Sequence, residues 1–282
     1  MKLIDKIAFL VLGIVSLASI FGFFETSPDP DAPRRPSIAL APPQGDPLPP
    51  RNPTRDPIVM VDMGQRPTTS LGTAFSLESN GVWMTARHVV DGCDRVGLMT
   101  GPSKAAKVNQ IWIHPAADLA VLSQSLRRPA LRMANRAPVI GEQGYGVGYP
   151  QGKPGEVVGK LLGRATSRST GRYSLDEPVL VWTETARFPN FSGDLAGISG
   201  GPLFAQDGTV LGVIVSGTVR RGRFNTVAPS SLTLALQEAQ LTPGDIGETA
   251  PVPVPIEAQA LSDLGQQLRQ GGAVAQVICL VN

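Results

Sequence analysis

Between Ile58 and Ala239 the chain is written in short apolar or alternating runs, broken repeatedly by Gly, Pro, Asn and Asp. A period of two marks strands with one buried face. The pattern predicts strands at Ile58–Asp62, Leu71–Leu77, Val82–Thr85, Arg95–Met99, Lys107–Ile113 and Leu119–Leu122. A second set is predicted at Gly144–Gly148, Val157–Ser167, Val179–Thr185, Pro202–Ala205, Val210–Val215 and Arg223–Val227. Ser79-Asn80-Gly81 and Asp207-Gly208 read as hairpin turns. Helical spacing in this body is confined to Ser230–Ala239, with Leu232, Leu236 and Ala239 on one side. The expected fold is all-β. Two groups of six short strands predict two packed six-stranded antiparallel barrels.

The flanks read differently. Ile7 to Phe24 is a run of 18 residues without a charge, behind Lys2 and Lys6. As a helix it spans ~27 Å, close to the ~30 Å of a bilayer core. The basic residues in front predict a cytoplasmic N-terminus, with everything after the helix outside. Residues 1–27 are therefore expected to be a signal-anchor, a transmembrane helix separate from the barrels. A cleaved signal peptide, using Ser16-Leu17-Ala18, is the competing reading; the apolar run continuing through Ile20, Phe21, Phe23 and Phe24 favours the anchor. Residues 28–57 hold 11 prolines and are expected to form a stiff polyproline tether, reaching at most ~90 Å. Residues 58–240 form the body. In the tail, 241–282, Ala258, Leu261, Leu264 and Leu268 recur at helical spacing, Gly271-Gly272 stops that helix, and Ala273–Val281 reads as a terminal strand.

A hydrophobic share of 42 % excludes a wholly disordered chain. The 31 glycines and 26 prolines fall without a Gly-X-Y period, which excludes collagen. A net charge of +2 with no Lys/Arg run longer than two argues against nucleic acid as a partner. The charge is uneven: residues 57–240 carry 18 basic and 13 acidic groups, residues 241–282 carry 1 and 4, so the tail is suited to dock on the body. Two histidines and two cysteines without ligand spacing predict no metal, and no cofactor is expected. Outside the membrane, in an oxidising compartment, Cys93 and Cys279 are expected to pair. That bridge would pin the tail to the first barrel and close a loop worth ~5 kcal/mol on entropy models. Free thiols or an intermolecular bridge are the alternatives.

Three segments carry chemistry. Gly197-Ile198-Ser199-Gly200-Gly201-Pro202-Leu203 sets a serine among small residues, so that a carbonyl can approach its hydroxyl. The glycines allow successive N–H groups to face one hollow, as an oxyanion requires. Met84-Thr85-Ala86-Arg87-His88-Val89-Val90 places a histidine just after an apolar strand. Ala117-Asp118-Leu119-Ala120-Val121-Leu122 opens an apolar strand with an acid, which must find a partner such as an imidazole N–H once buried.

The order His88, Asp118, Ser199, with these motifs around it, resembles the trypsin-like, chymotrypsin-fold serine peptidases, in particular their bacterial Deg/HtrA-type and glutamyl-endopeptidase-like branches. The resemblance covers about Ile58 to Ala239. It implies a triad in the cleft between two barrels, with Ser199 as nucleophile, His88 as base and Asp118 as its orienting acid. It also implies an oxyanion hole from the Gly197 and Ser199 N–H groups, a hydrogen bond from Ser216 to Asp118, and a substrate wall at Val215, Ser216, Gly217 and Thr218. Asp194 either selects a basic side chain or sits on a solvent-facing loop; Val213, Ile214 and Val215 suit an apolar pocket instead. Ile198 stands where digestive members carry an acid that pairs with a freed N-terminus, so activation by that route is not expected. Deg/HtrA-type proteins usually append a peptide-binding PDZ domain, for which the 42 residues after Gln240 are too few. The expectation is an envelope-bound endopeptidase acting on protein or peptide substrates, with a catalytically silent binding module as the alternative.

Overall fold

The structure, a computed structural model, describes residues 41–218, 222–238 and 247–282. The predicted anchor and the start of the tether lie outside these residues, and no helix among the described residues is long and apolar enough to cross a membrane. Among the described residues, fourteen strands form two seven-stranded sheets. The first contains β2 (Ser70–Glu78), β3 (Val82–Thr85), β4 (Arg95–Gly101), β5 (Lys104–Lys107), β6 (Gln110–Ile113), β7 (Ala120–Ser123) and β14 (Val274–Leu280). The second contains β1 (Ile58–Asp62), β8 (Gln143–Gly148), β9 (Gly155–Thr170), β10 (Asp176–Phe188), β11 (Pro202–Phe204), β12 (Val210–Thr218) and β13 (Arg223–Val227). Among the described residues three α-helices join them: α1 (Arg87–Val90), α2 (Pro229–Glu238) and α3 (Leu261–Gln270).

The two halves close differently, which corrects the expectation of two six-stranded barrels. In the second sheet the order is β1-β9-β10-β13-β12-β11-β8, and β8 pairs back onto β9, sealing six antiparallel strands into a barrel. The first sheet has the open order β5-β4-β14-β2-β3-β7-β6. β1, expected in the first half, is lent to the second, where it lies parallel to β9 with Ile58 opposite Thr166. β14 is inserted between β2 and β4, with Val277 opposite both Gly72 and Leu98. The single strand expected at Lys107–Ile113 breaks in two because the chain changes partner there: β5 pairs with β4, while β6 pairs with β7. The later part of the Pro-rich segment is laid against the second barrel, where Ile140 N–H donates to Asp46 O and Arg164 Nε to Pro49 O.

Alternation along the strands gives each half its core. Inside the barrel Trp182 stacks on Phe224 with centroids 6.3 Å apart, and its indole N–H donates to Thr226 Oγ1 at 3.0 Å. Leu161, Leu180 and Leu203 fill the rest; each buried leucine stabilises by about 2 kcal/mol. The larger cluster joins Phe75, Trp83, Met84, Leu98, Leu119 and Leu122 to Leu261, Leu264 and Leu268 of α3. The helical apolar spacing read in the tail is thus the buried face of α3. At the end of α3, Arg269 donates to Glu156 Oε1 at 2.6 Å and to Gly148 O at 3.3 Å, both on the second barrel. Burial raises the Glu156 carboxyl above its usual range against the pull of Arg269. Cys93, just past α1, and Cys279 on β14 form a disulfide with their Cα atoms 5.5 Å apart.

Candidate active site

His88 sits on the short helix α1, immediately after β3, and Asp118 lies just before β7, which pairs with β3. That pairing brings the two together. Asp118 is 1 % exposed. Its Oδ1 accepts the His88 backbone N–H at 2.8 Å and its Oδ2 meets His88 Nδ1 at 2.6 Å. A carboxylate at Nδ1 holds the proton there and leaves Nε2 as the acceptor. His88 lines a cleft of ≈ 320 Å³ together with Ser199, Asp194, Leu195, Val215, Ser216 and Gly217.

Ser199 is carried by the loop before β11. Ile198 is 2 % exposed within the barrel core, so apolar burial pins the loop. Gly197 has φ +95°, and a Cβ there would lie 2.5 Å from Tyr149 O, which makes glycine necessary. The Ala196 carbonyl accepts the Gln151 N–H behind the loop. Since the Ala196–Gly197 peptide is trans, the Gly197 N–H points the other way. The N–H groups of Ile198, Gly200 and Gly201 are taken by Leu195 O, Ile214 O and Ile198 O; those of Gly197 and Ser199 have no acceptor among the described residues.

The remaining sequence expectations divide. Ser216 does not reach Asp118: its Oγ accepts Asn225 Nδ2 at 2.8 Å, because a register shift between Ile214 and Ser216 turns the strand there. The hydroxyl on Asp118 Oδ1 is that of Tyr173, at 3.4 Å. Asp194 is on the rim of the cleft, but its carboxylate accepts the Ala196 N–H of its own loop at 3.2 Å, as on a solvent-facing turn. Val215, Ser216 and Gly217 line the cleft, and Thr218 ends β12. His114 is buried, with its Nδ1 accepting the Ala116 N–H. Val61, Asp62 and Met63 also line the cleft, because β1 lies at this edge of the second sheet.

Thr73 of β2 escaped the sequence reading. Its N–H donates to Ser199 O at 2.8 Å and its Oγ1 to Gly197 O at 2.7 Å, so the first sheet grips the serine loop at both carbonyls. Among the described residues no group of three or more His, Cys, Asp or Glu is placed to hold a metal ion.

A barrel and a half-open sheet, meeting at a cleft lined by a serine and by a histidine that is paired behind it with a buried acid, define the architecture of a trypsin-like serine peptidase. The chain belongs to the trypsin-like peptidase domain family, which it matches over residues 72–213. It is 25 % identical, over 76 % of its length and 44 % of the relative's, to a probable periplasmic serine endoprotease, DegP-like, of Pseudomonas fulva (strain 12-X). A protein of the same description from Pseudomonas savastanoi pv. phaseolicola (strain 1448A / Race 6) is 29 % identical over 57 % of this chain and 32 % of its own. The chain thus spans less than half the length of these relatives. Among solved structures it is similar to the active form of the Rv3671c protease from M. tuberculosis, at TM-score 0.50 and 20 % identity, covering 77 % of this chain and 97 % of that one.

Proposed function

We propose that the protein is a membrane-tethered serine endopeptidase of the cell envelope that hydrolyses peptide bonds through Ser199, His88 and Asp118. The observation that carries this reading is the cleft itself: a histidine paired at 2.6 Å with a buried acid shares it with a serine whose loop keeps two backbone donors unspent. In this mechanism Ser199 Oγ attacks the carbonyl carbon while His88 Nε2 takes the hydroxyl proton. The oxyanion rests on the Gly197 and Ser199 N–H groups, and Asp118 stabilises the imidazolium. The C–N bond then breaks as His88 passes that proton to the leaving amine, leaving an ester on Ser199. Water repeats the cycle through His88, releases the acid and restores the serine. The stretch Val215–Thr218 and the rim at Asp194 form the substrate wall.

The membrane tether rests on the 18-residue uncharged run behind Lys2 and Lys6 and on the relatives' description as periplasmic. Residues 1–27 anchor the chain, the part of the Pro-rich segment before its docked stretch around Asp46–Pro49 spaces it from the bilayer, and the peptidase body lies on the outer side. A fluorophosphonate probe tests the chemistry: the wild type is expected to be labelled and Ser199→Ala to be inert. An unlabelled wild type that turns over no peptide establishes a silent module instead. Fractionation with mass determination of the N-terminal peptide tests the anchor, and a soluble form starting at Ser19 overturns it.

A further inference from the structure

Asp118 is held not only from its own sheet but from the other half of the molecule. β9 and β10 form a long hairpin whose tip, Gly171–Leu175, overhangs α1. Gly171, at φ +106°, passes against the Gly64 backbone, where a Cβ would clash with Gly64 O. From this tip Arg172 donates to His88 O at 3.3 Å and Asp91 O at 2.8 Å at the end of α1, and to Met63 O at 3.0 Å just past β1. The next residue, Tyr173, lies under the Arg87 guanidinium, 4.0 Å from its ring centroid, and offers its hydroxyl to Asp118 Oδ1 at 3.4 Å. Two residues into β10, Glu177 is 2 % exposed and its Oε2 accepts the Asp118 backbone N–H at 2.9 Å.

We propose that Tyr173 and Glu177 are positioning residues for Asp118, a cradle lent by the second barrel that fixes the acid's backbone and takes up part of its carboxylate charge. This rests on the reading of His88 and Asp118 as base and orienting acid. The two residues divide the work. Glu177 grips the Asp118 amide and sets where the acid stands. Tyr173 donates to the oxygen that does not bond the imidazole, and so tempers the field the carboxylate exerts on His88. The 3.4 Å separation is long for a hydroxyl donor, and contacts of this kind shorten when a site engages its substrate. Both groups are suited to stay neutral. Burial first, then the Asp118 charge, pushes the Glu177 carboxyl up to about 8. The same two causes raise the Tyr173 phenol far enough that it remains a donor. The charged groups facing them are Arg87 and Asp91 from α1, Arg172 from the hairpin tip and Asp118 itself.

The chain has two histidines, which makes a direct test simple. In the full chain carrying Ser199→Ala, with labelled histidine, the His88 titration is followed by NMR with His114 as internal control. Adding Tyr173→Phe strips a donor from the carboxylate, strengthens its hold on the imidazolium and is expected to raise the His88 midpoint by ~0.3–1 pH unit, with His114 unmoved. With Ser199 intact, Tyr173→Phe is expected to lower kcat about 3- to 10-fold at nearly constant KM and to shift the acid limb of the pH profile upward by the same amount. Glu177→Ala is expected to lower kcat further, and Glu177→Gln, which keeps an acceptor for the Asp118 N–H, to recover most of that loss. Identical His88 titrations with and without Tyr173→Phe overturn the role of Tyr173, and equal kcat losses in Glu177→Ala and Glu177→Gln overturn that of Glu177. A shifted titration in a protein whose Ser199 form turns over no peptide supports the cradle and rejects the peptidase reading, so the two failures are distinct.

Discussion

The two halves of the molecule solve the same problem in opposite ways. The second barrel closes on itself: β8 bonds to β9, and Trp182, Phe224 and their neighbours fill it from within. The first sheet never closes. It depends on β14 inserted between β2 and β4, on a core it shares with α3 and with barrel residues such as Val147 and Val158, on the disulfide at its flank and on the hairpin tip of its neighbour. Ser199 belongs to the closed half and His88 and Asp118 to the dependent half. The cleft is therefore assembled from one rigid wall and one borrowed wall, and Thr73 is the stitch between them.

Experiments can break this contrast at graded strength. The largest effect is expected on the rigid wall: Ser199→Ala should lower kcat by ~10⁶ while leaving the urea midpoint unchanged, since the loop is pinned by Ile198 and not by the hydroxyl. On the borrowed wall, Asp118→Asn should lower kcat by ~10⁴ by favouring the wrong imidazole tautomer, measured as peptide turnover beside a control of retained fold. Next in size is the clasp of α3 on the barrel. Arg269→Ala leaves Glu156 buried without its cation and should cost about 3–5 kcal/mol in denaturant unfolding. Removing the disulfide with Cys93→Ser plus Cys279→Ser should cost about 2–5 kcal/mol. Hydrogen exchange should then show β2, β4 and β14 losing protection while β9, β10 and β13 keep theirs; equal loss in both halves would refute the contrast.

The most gradual effect is a slope with pH, spread over several pH units. Burial raises Glu177 from the usual 4.5 to about 8 and raises Glu156 as well. For an acid whose folded-state pKa lies above its unfolded value, the stabilisation is complete below about 4.5 and is lost as pH rises through the folded value. Urea midpoints of the Ser199→Ala protein should therefore fall from pH 5 to pH 8, and Glu177→Gln should flatten part of that fall, with Glu156 retaining the remainder.

What the sequence made legible is what is local. Strand alternation, the Ser79–Gly81 turn and the apolar spacing of Leu261, Leu264 and Leu268 depend on neighbours within a few residues. So do the His88, Asp118 and Ser199 segments, whose chemistry is written in contiguous motifs. What escaped is decided by partners far along the chain. Nothing within Ile58–Asp62 says that it will run parallel to β9, and nothing in the terminal strand announces a place between β2 and β4. The resemblance implied Ser216 as a partner of Asp118; beside a register shift its hydroxyl instead accepts from Asn225. Tyr173 and Glu177 sit 55 and 59 residues from Asp118 in an unremarkable hairpin, without a spacing or composition to mark them. Thr73, one threonine in an alternating strand, carries no local sign of its two bonds to the serine loop.

The central seat of β14 imposes an order of assembly. Roughly 200 residues of chain separate β2 from the strand it must pair with, so that contact is among the last the polypeptide can make. The barrel with Ser199 has all its strands once residue 227 has emerged, whereas the wall with His88 and Asp118 waits for residue 274 and beyond. At that stage of synthesis the loop with Ser199 is complete, while the sheet that carries His88 and Asp118 still lacks an inner strand.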